Sequence, residues 1–431
     1  MERSLFALLI ATFSIYVLDV PDTLAQDTAS PASDPPLAGR PGTTGSPASP
    51  LSSSLAACLA DLRPQARAKG VSQGTLERAF SDVSPDPDVL AAARRQPEFV
   101  KPIWDYLDAA VSDGRIATGQ AKLAEWAQVL EAIEKRYGVD RHIVLAIWGM
   151  ESSYGAVLDD PQVVKPVIRS LATLACGDPD RAHFWREQLL AALQLLERGD
   201  VAPDRMTGSW AGAMGHTQFM PTTYQAHAVD FDQDGRRDLW SSVPDALAST
   251  ANYLKVSGWR AGETWGYEVE LPQGFDFALA DGTTHRPVSE WMRLGVRAAQ
   301  EPAVRRADAN AALMLPAGAR GPAFLLLPNF DVILRYNNAA AYALAVGHLA
   351  DRIGGGSAFV RAWPRDDRPL AIGERRELQM LLARRGFDAG PHDGRLGPKT
   401  RAAVRAYQRA AGLPADGYPN AVLLERLRAD P

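Results

Sequence analysis

The stretch AIWGMESSYG, residues 146–155, places one carboxylate, Glu151, near the end of an otherwise apolar run. A carboxylate in apolar surroundings is costly unless it is paired, hydrogen-bonded or neutral. Ile143, Val144, Ile147 and Trp148 make the surrounding helix apolar on most sides, Asp140 can cap its start, and Gly155 follows as a stop. Glu151 then falls at the helix C-terminus, where the dipole disfavours negative charge, and burial acts in the same direction. Both effects raise a carboxyl pKa. Such a glutamic acid can stay protonated near neutral pH and serve as a general acid. Taken alone, the stretch fits a core glutamate bonded to neighbouring backbone at least as well.

A second stretch, GSWAGAMGHTQFMPTTYQAHAVDFDQDGRRDLW, adds to the chemistry. Gly208, Gly212 and Gly215 permit tight turns and close backbone approach. Ser209, Gln218, Tyr224 and nearby aromatics supply hydroxyls, an amide and stacking faces. Carbohydrate sites combine these, since sugar rings stack while their hydroxyls need polar partners. Within the stretch, Asp230, Asp232, Asp234, Gly235 and Asp238 follow the opening of an EF-hand calcium loop. Its twelfth position is Ser241 rather than the usual glutamate, and Asp245 closes the loop only if the loop is longer than usual. The alternative is a polar turn whose acids cap neighbouring helices.

The elements that position these residues are mostly helical. In GQAKLAEWAQVLEAIEKRYGV, Leu123, Trp126, Ala127, Leu130 and Ile133 have helical spacing, ended by Gly138 as a cap. DRAHFWREQLLAALQLLERGDV and NAAAYALAVGHLADRIGGG repeat the pattern. Residues 264–325 instead read as short strands and loops punctuated by Gly and Pro. The class is α+β, predominantly α. After GGGSAFVRAWPRDDRPLA, residues 354–371, a compact segment predicts three helices: Leu378, Leu381 and Leu382 line the first, Ala403, Val404, Tyr407 and Gln408 the second, and Leu423, Leu424 and Leu427 the third.

The chain has 431 residues, 46% hydrophobic and 23% charged, enough for two or three soluble domains. A net charge of −5 gives no reason to expect nucleic-acid binding, and the seven histidines form no metal-ligand cluster. Arg3, the apolar run from Leu5 to Leu18 and the small residues up to Ala25 read as a secretory signal, residues 1–25. That run of about 14 residues is shorter than the roughly 20 of a spanning helix. Residues 26–52 are rich in Pro, Ser, Ala, Gly and Thr and read as a disordered linker. Leu55-Ala56-Ala57-Cys58 resembles a lipid-attachment box but lies too far from the signal run to be one. In an exported protein the two cysteines, Cys58 and Cys176, favour a disulfide, with two buried thiols as the alternative.

Five blocks occur in order: GMESSYG, GSWAGAMGHTQFMP, DFDQDGRRDLW, ALASTANYLKVSGW and NFDVILRYNNAAAYALAVGHLADRI. Together they resemble the lytic murein transglycosylase B family over residues 53–353. LQMLLARRGFDAGPHDGRLGPKTRAAVRAYQRAAGL resembles a peptidoglycan-binding type 1 domain over residues 372–429, leaving 354–371 as a linker. The resemblance implies a goose-type, lysozyme-like core that cleaves the β-1,4 bond between N-acetylmuramic acid and N-acetylglucosamine without water, leaving 1,6-anhydro ends. It implies Glu151 as the single acid/base. It also implies glycan contacts by Ser209, Gln218, Phe219, Tyr253, Tyr336, Asn337, Tyr342 and Tyr106. A structural Ca2+ would sit on Asp230, Asp232, Asp234, the Arg236 carbonyl and Asp245, in a loop one residue longer than the family's. No cofactor is required, the partner is the glycan strand, and the location is the periplasm. Partners among other wall enzymes are not legible. The competing readings are a water-using muramidase, which needs a second carboxylate such as Asp159 or Asp160, and a wall-binding protein without activity. A calcium-regulated protein would rest on the one imperfect loop.

Overall fold

A computed structural model describes residues 50–94, 101–300 and 308–429. The expected signal segment and most of the first linker lie outside them. Among the described residues no helix is long and apolar enough to cross a membrane.

Two helical cores lie side by side. One is built on the helix Arg141–Ser152, with Ile143 to Gly149 all buried, packed against Ala340–Ile353. The other is built on Val167–Gly177 and Ala182–Arg198. Local signals set the ends of these helices. Gly138 adopts φ 71° and its N–H donates to the Glu134 carbonyl, stopping one helix. Asp140 then caps the next by accepting the His142 N–H. The expected stop at Gly155 comes earlier than predicted. The helix ends at Ser152, and Ser153, Tyr154 and Gly155 all take positive φ, at 51°, 59° and 85°.

A short antiparallel ribbon, β1 (Lys165–Pro166) with β2 (Thr207–Gly208), leads through bridges at Gly208–Met214 and Met214–Phe219 into the Gly-rich loop. A Cβ on Gly208 would lie 2.1 Å from the Ala213 carbonyl oxygen, and one on Gly215 2.3 Å from that of Leu239. Only glycine permits backbone to cross backbone this closely.

The segment read as strands forms an antiparallel sheet of β3 (Gly266–Glu270), β4 (Arg286–Pro287), β5 (Arg297–Ala298), β6 (Asn310–Met314) and β7 (Ala323–Leu326), in the order β4-β6-β7-β3-β5. Trp291, Leu313 and Leu325 bury its core. The C-terminal module has the three expected helices, Ile372–Arg384, Pro398–Ala410 and Ala421–Ala429, closed on Leu378, Leu382, Val404, Leu424 and Leu427.

The segment 354–371, read as a linker, is a packed strap. Phe359 stacks on His348 at 3.7 Å between ring centroids, and Trp363 lies against Trp104 and Phe324. Glu268 accepts the Val360 and Arg361 N–H groups. Asp416 of the module accepts the Ala319 N–H of the sheet domain at 2.8 Å.

Cys58 and Cys176 are joined in a disulfide that ties the helix Pro50–Ala68 to Val167–Gly177 across 118 residues of chain. Cross-linking so long a loop restricts the unfolded chain. The paired Cys58→Ser, Cys176→Ser variant is expected to lose about 2–4 kcal/mol of stability. Urea unfolding, followed with and without reductant, checks this, and reductant should lower only the native protein.

Candidate active site

Glu151 lies on the last turn of Arg141–Ser152, where the two helical cores meet. Tyr253 and Tyr336 pack against both cores and so mark the seam. The Glu151 side chain is half-buried, open enough to meet a ligand yet closely surrounded by protein. Burial raises its carboxyl to about 7, against the lowering effect of one hydrogen bond. That bond comes from Tyr342, whose hydroxyl donates to Oε1 at 2.6 Å. Burial is the larger cause of the shift, in the direction the sequence suggested.

Three tyrosines feel Glu151: the buried Tyr342 and Tyr106 and the half-buried Tyr336 all have their phenols held above the ordinary range by desolvation, with the nearby Glu151 charge adding to it. They come from three helices, Ala340–Ile353, Pro328–Tyr336 and Ile103–Ala110. Of the expected sugar contacts these are the ones placed around the carboxyl. Tyr336 donates to the Thr217 carbonyl and stands 6.0 Å from Phe219 and 5.2 Å from Tyr253, ring to ring. Tyr253 itself donates to the Arg335 carbonyl. Gln218 takes φ 54° and its amide donates to the Gly215 carbonyl at 2.8 Å. Asn337 ends the helix Pro328–Tyr336 beside Tyr336. Ser209 is buried, and its hydroxyl oxygen accepts the Ala213 N–H at 3.2 Å, which shapes the turn.

Asp159 and Asp160 do not pair with the carboxyl. Asp159 is exposed, Asp160 accepts the Gln162 N–H, and neither is among the groups that shift Glu151. Residues the sequence reading passed over support the site instead. Trp148, Ser152 and His216 form a bonded group behind Glu151, and Tyr154 donates to the Arg115 carbonyl. Their signal was present in GMESSYG and GAMGHTQF, but only folding brings the two segments together.

In the acidic loop, Asp230, Asp232 and Asp245 bring carboxylate oxygens within 4.8 Å of one another. Asp245 is fully buried and accepts the Phe231, Asp232 and Asp238 N–H groups. Desolvation, with Asp232 adding to it, raises its pKa. Asp230 Oδ1 is buried without a hydrogen-bond partner. Such a hard-oxygen donor set fits a divalent cation like calcium. Asp245 thus joins the group despite the long loop. Asp234 lies outside that group of three, and its Oδ1 accepts the Arg236 N–H.

The Transglycosylase SLT domain family matches residues 54–351, and the family described as "Putative peptidoglycan binding domain" matches residues 373–427. The chain belongs to the first family, with the second as its C-terminal module. It is 34% identical over 236 residues to the membrane-bound lytic murein transglycosylase B of Escherichia coli strain K12, a match over 53% of this chain and 62% of that relative, less than two-thirds of its length. Among solved structures it is similar to SltB3 from Pseudomonas aeruginosa in complex with NAG-anhNAM-pentapeptide, at 53% identity and a TM-score of 0.83, over 87% of this chain and 99% of that one. It is also similar to the Escherichia coli lytic transglycosylase Slt35 in complex with calcium, at 27% identity and a TM-score of 0.57, over 70% and 92%. The lysozyme-like core with a helical C-terminal module is therefore the fold of this chain.

The bond from Tyr342 stabilises the charged form of Glu151, so removing it should raise the carboxyl pKa further. A general acid loses activity as pH rises through its pKa, so with Glu151 in that role the alkaline limb of the rate is expected near 7. In Tyr342→Phe that limb is expected to move up by about one pH unit, matching a charged hydrogen bond of about 1.5 kcal/mol. A pH–rate profile on soluble glycan fragments checks it. An unmoved limb would sever Tyr342 from the titration.

Proposed function

We propose that this protein is a lytic transglycosylase that cleaves the β-1,4 bond between N-acetylmuramic acid and N-acetylglucosamine in peptidoglycan. The observation that carries this is one carboxyl, Glu151, raised to about 7 and bonded to Tyr342, with no second carboxylate among the described residues acting on it. Hydrolytic glycosidases ordinarily use two carboxyl groups, one of which activates water or attacks the sugar. One suffices when the nucleophile belongs to the substrate.

Protonated Glu151 gives its proton to the departing glycosidic oxygen, and the bond from that oxygen to C1 of the muramic residue breaks. The 2-acetamido oxygen of the substrate stabilises the positive charge at C1. The 6-hydroxyl of the same residue then attacks C1, and the Glu151 carboxylate takes its proton. The products are a free 4-hydroxyl and a 1,6-anhydro ring, with Glu151 protonated again and no water consumed. Intramolecular attack replaces an activated water through high effective molarity. Tyr342, Tyr336 and Tyr106 orient the sugar and face the oxocarbenium-like state. Gln218, Phe219, Tyr253, Asn337 and Ser209 form or shape the adjoining glycan surface.

The relatives support this reading. One is named a lytic murein transglycosylase, and another holds a glycan fragment with an anhydro-muramic end. The C-terminal module would hold the enzyme on the wall. The signal-like segment at residues 1–25 fits export to the periplasm, where the wall lies.

Replacing Glu151 by Gln is expected to lower the release of fragments from purified peptidoglycan at least a hundredfold. Mass spectrometry of the fragments should find anhydro ends from the native protein. Reducing ends would make it a muramidase; binding without release would make it a wall-binding protein.

Calcium held by Asp230, Asp232 and Asp245 would pin the loop to the helix Val243–Val256 that carries Asp245. It supplies charge neutralisation to three crowded carboxylates and takes no part in the reaction. Added calcium is expected to raise the melting temperature of the native protein by several degrees, and to leave that of Asp230→Asn, Asp232→Asn unchanged. Equal shifts in both proteins would remove the site.

A further inference from the structure

Three bonds from the end of the Glu151 helix and the chain beyond it converge on one residue of the Gly-rich loop. The Trp148 indole Nε1–H donates to His216 Nδ1 at 3.0 Å. The Ser152 hydroxyl donates to the His216 carbonyl at 2.7 Å. His216 donates its own N–H to the Leu239 carbonyl at 2.9 Å, which anchors it to the chain beyond. Gly155 closes the group: its N–H donates to Ser152 Oγ at 3.0 Å, and a Cβ there would lie 2.4 Å from the His216 ring. The imidazole also meets the Trp148 ring edge to face at 5.5 Å.

The protonation of the ring follows from its partner. An indole N–H only donates, so Nδ1 must carry a lone pair and the proton sits on Nε2. Burial agrees, since it lowers the imidazole to about 4 and keeps it neutral, with Asp238 and Asp159 opposing and Lys122 assisting. His216 is 9% exposed and does not face Glu151 as an acid or base would.

What it holds is the frame of Glu151. Trp148 precedes the glutamate by three residues, one helical turn, and Ser152 follows it directly. Both are bonded to the same residue, one to its side chain and one to its backbone. These two bonds oppose rotation and fraying of the final turn, which is followed by three successive positive-φ residues. The residue after His216 reaches the opposite wall, where the Thr217 carbonyl accepts the Tyr336 hydroxyl.

We propose that His216 is a positioning residue for Glu151, gripping Trp148 and Ser152 so that the carboxyl is held toward the scissile oxygen. The proposal rests on Glu151 being the proton donor. Its consequence for rate is that of a misplaced reacting group, where about 1 Å costs up to a hundredfold.

Two variants separate the grip from mere packing. In His216→Asn the amide oxygen takes the place of Nδ1 and can still accept from Trp148. In His216→Leu the volume is kept and the acceptor is lost. The expected result on soluble peptidoglycan strands is a kcat about tenfold lower in the leucine variant with KM within twofold, and an asparagine variant within about threefold of native. Melting temperatures report folding, and the Trp148 indole N–H resonance reports the bond itself. That resonance should lie downfield and exchange slowly in the native protein and the asparagine variant, and shift in the leucine variant. A folded leucine variant with native kcat overturns the proposal, as does an equal loss of kcat in both. The indole signal is independent of turnover. A native protein that releases neither anhydro nor reducing ends but shows the bonded resonance would therefore refute the acid role of Glu151, and the proposal with it, while leaving the contact itself in place.

Discussion

Everything in the catalytic half serves one constraint: a carboxyl must remain uncharged where a ligand can still reach it. Burial alone would do the first and prevent the second. Glu151 sits between, half-buried, with a pKa near 7. Its rise from 4.5 corresponds to about 3 kcal/mol of disfavoured charge. The fold bears that cost on the alkaline side. The folded protein holds the proton up to about 7 while an unfolded glutamate loses it near its ordinary value, so stability from this group falls as pH rises between the two. The Tyr342 bond limits the cost, because it favours the charged form. A raised carboxyl does not by itself mark a site. Asp351 is also raised to about 7 by burial of its carboxyl, but that carboxylate accepts the Trp265 indole N–H at 3.1 Å, away from the seam.

The walls of the site meet where two independent cores touch, and neither core supplies the site alone. The Glu151 helix belongs to one core, and the Gly-rich loop runs out of the other. Joining them takes backbone conformations that regular elements do not offer. Ser153, Tyr154 and Gln218 adopt positive φ on the two sides of the seam, although none is glycine. Such residues persist when their surroundings over-determine them. Here Tyr154 is wedged against Gly149 and Gly119, where any Cβ would collide with its ring or hydroxyl.

Periodicity and capping in the sequence foretold the helices, and punctuation by Gly and Pro foretold the sheet region. Glu151 stood out because a charge interrupts an apolar run. The acid loop was legible as a spacing, and its last member, Asp245, only as the closure of a loop longer than usual. Asp245 joins because it lies in the first turn of the next helix, a fact of folding rather than of count. His216 stood in view in GAMGHTQF but without a legible role: a lone histidine in a glycine-rich loop has no period, and its partner Trp148 is 68 residues away. The segment 354–371 misled for the opposite reason. Its Gly, Pro and charges have a linker's composition, yet Phe359 and Trp363 are the two side chains that pin it.

That strap links the outer module to the site. Trp363 packs on Trp104, and Arg365 pairs with Asp108, both on the helix Ile103–Ala110 that carries Tyr106. Phe359 stacks on His348 of the helix Ala340–Ile353 that carries Tyr342. The Arg365–Asp108 pair is half exposed and contributes little, so the aromatic contacts dominate. Two of the three tyrosines around Glu151 therefore stand on helices whose outer faces are covered by the connection to the C-terminal module. A loose tether would leave those faces to solvent and the module free to roam. The packed strap buries them, and with Asp416 bonded to Ala319 it gives the module one seat relative to the carboxyl.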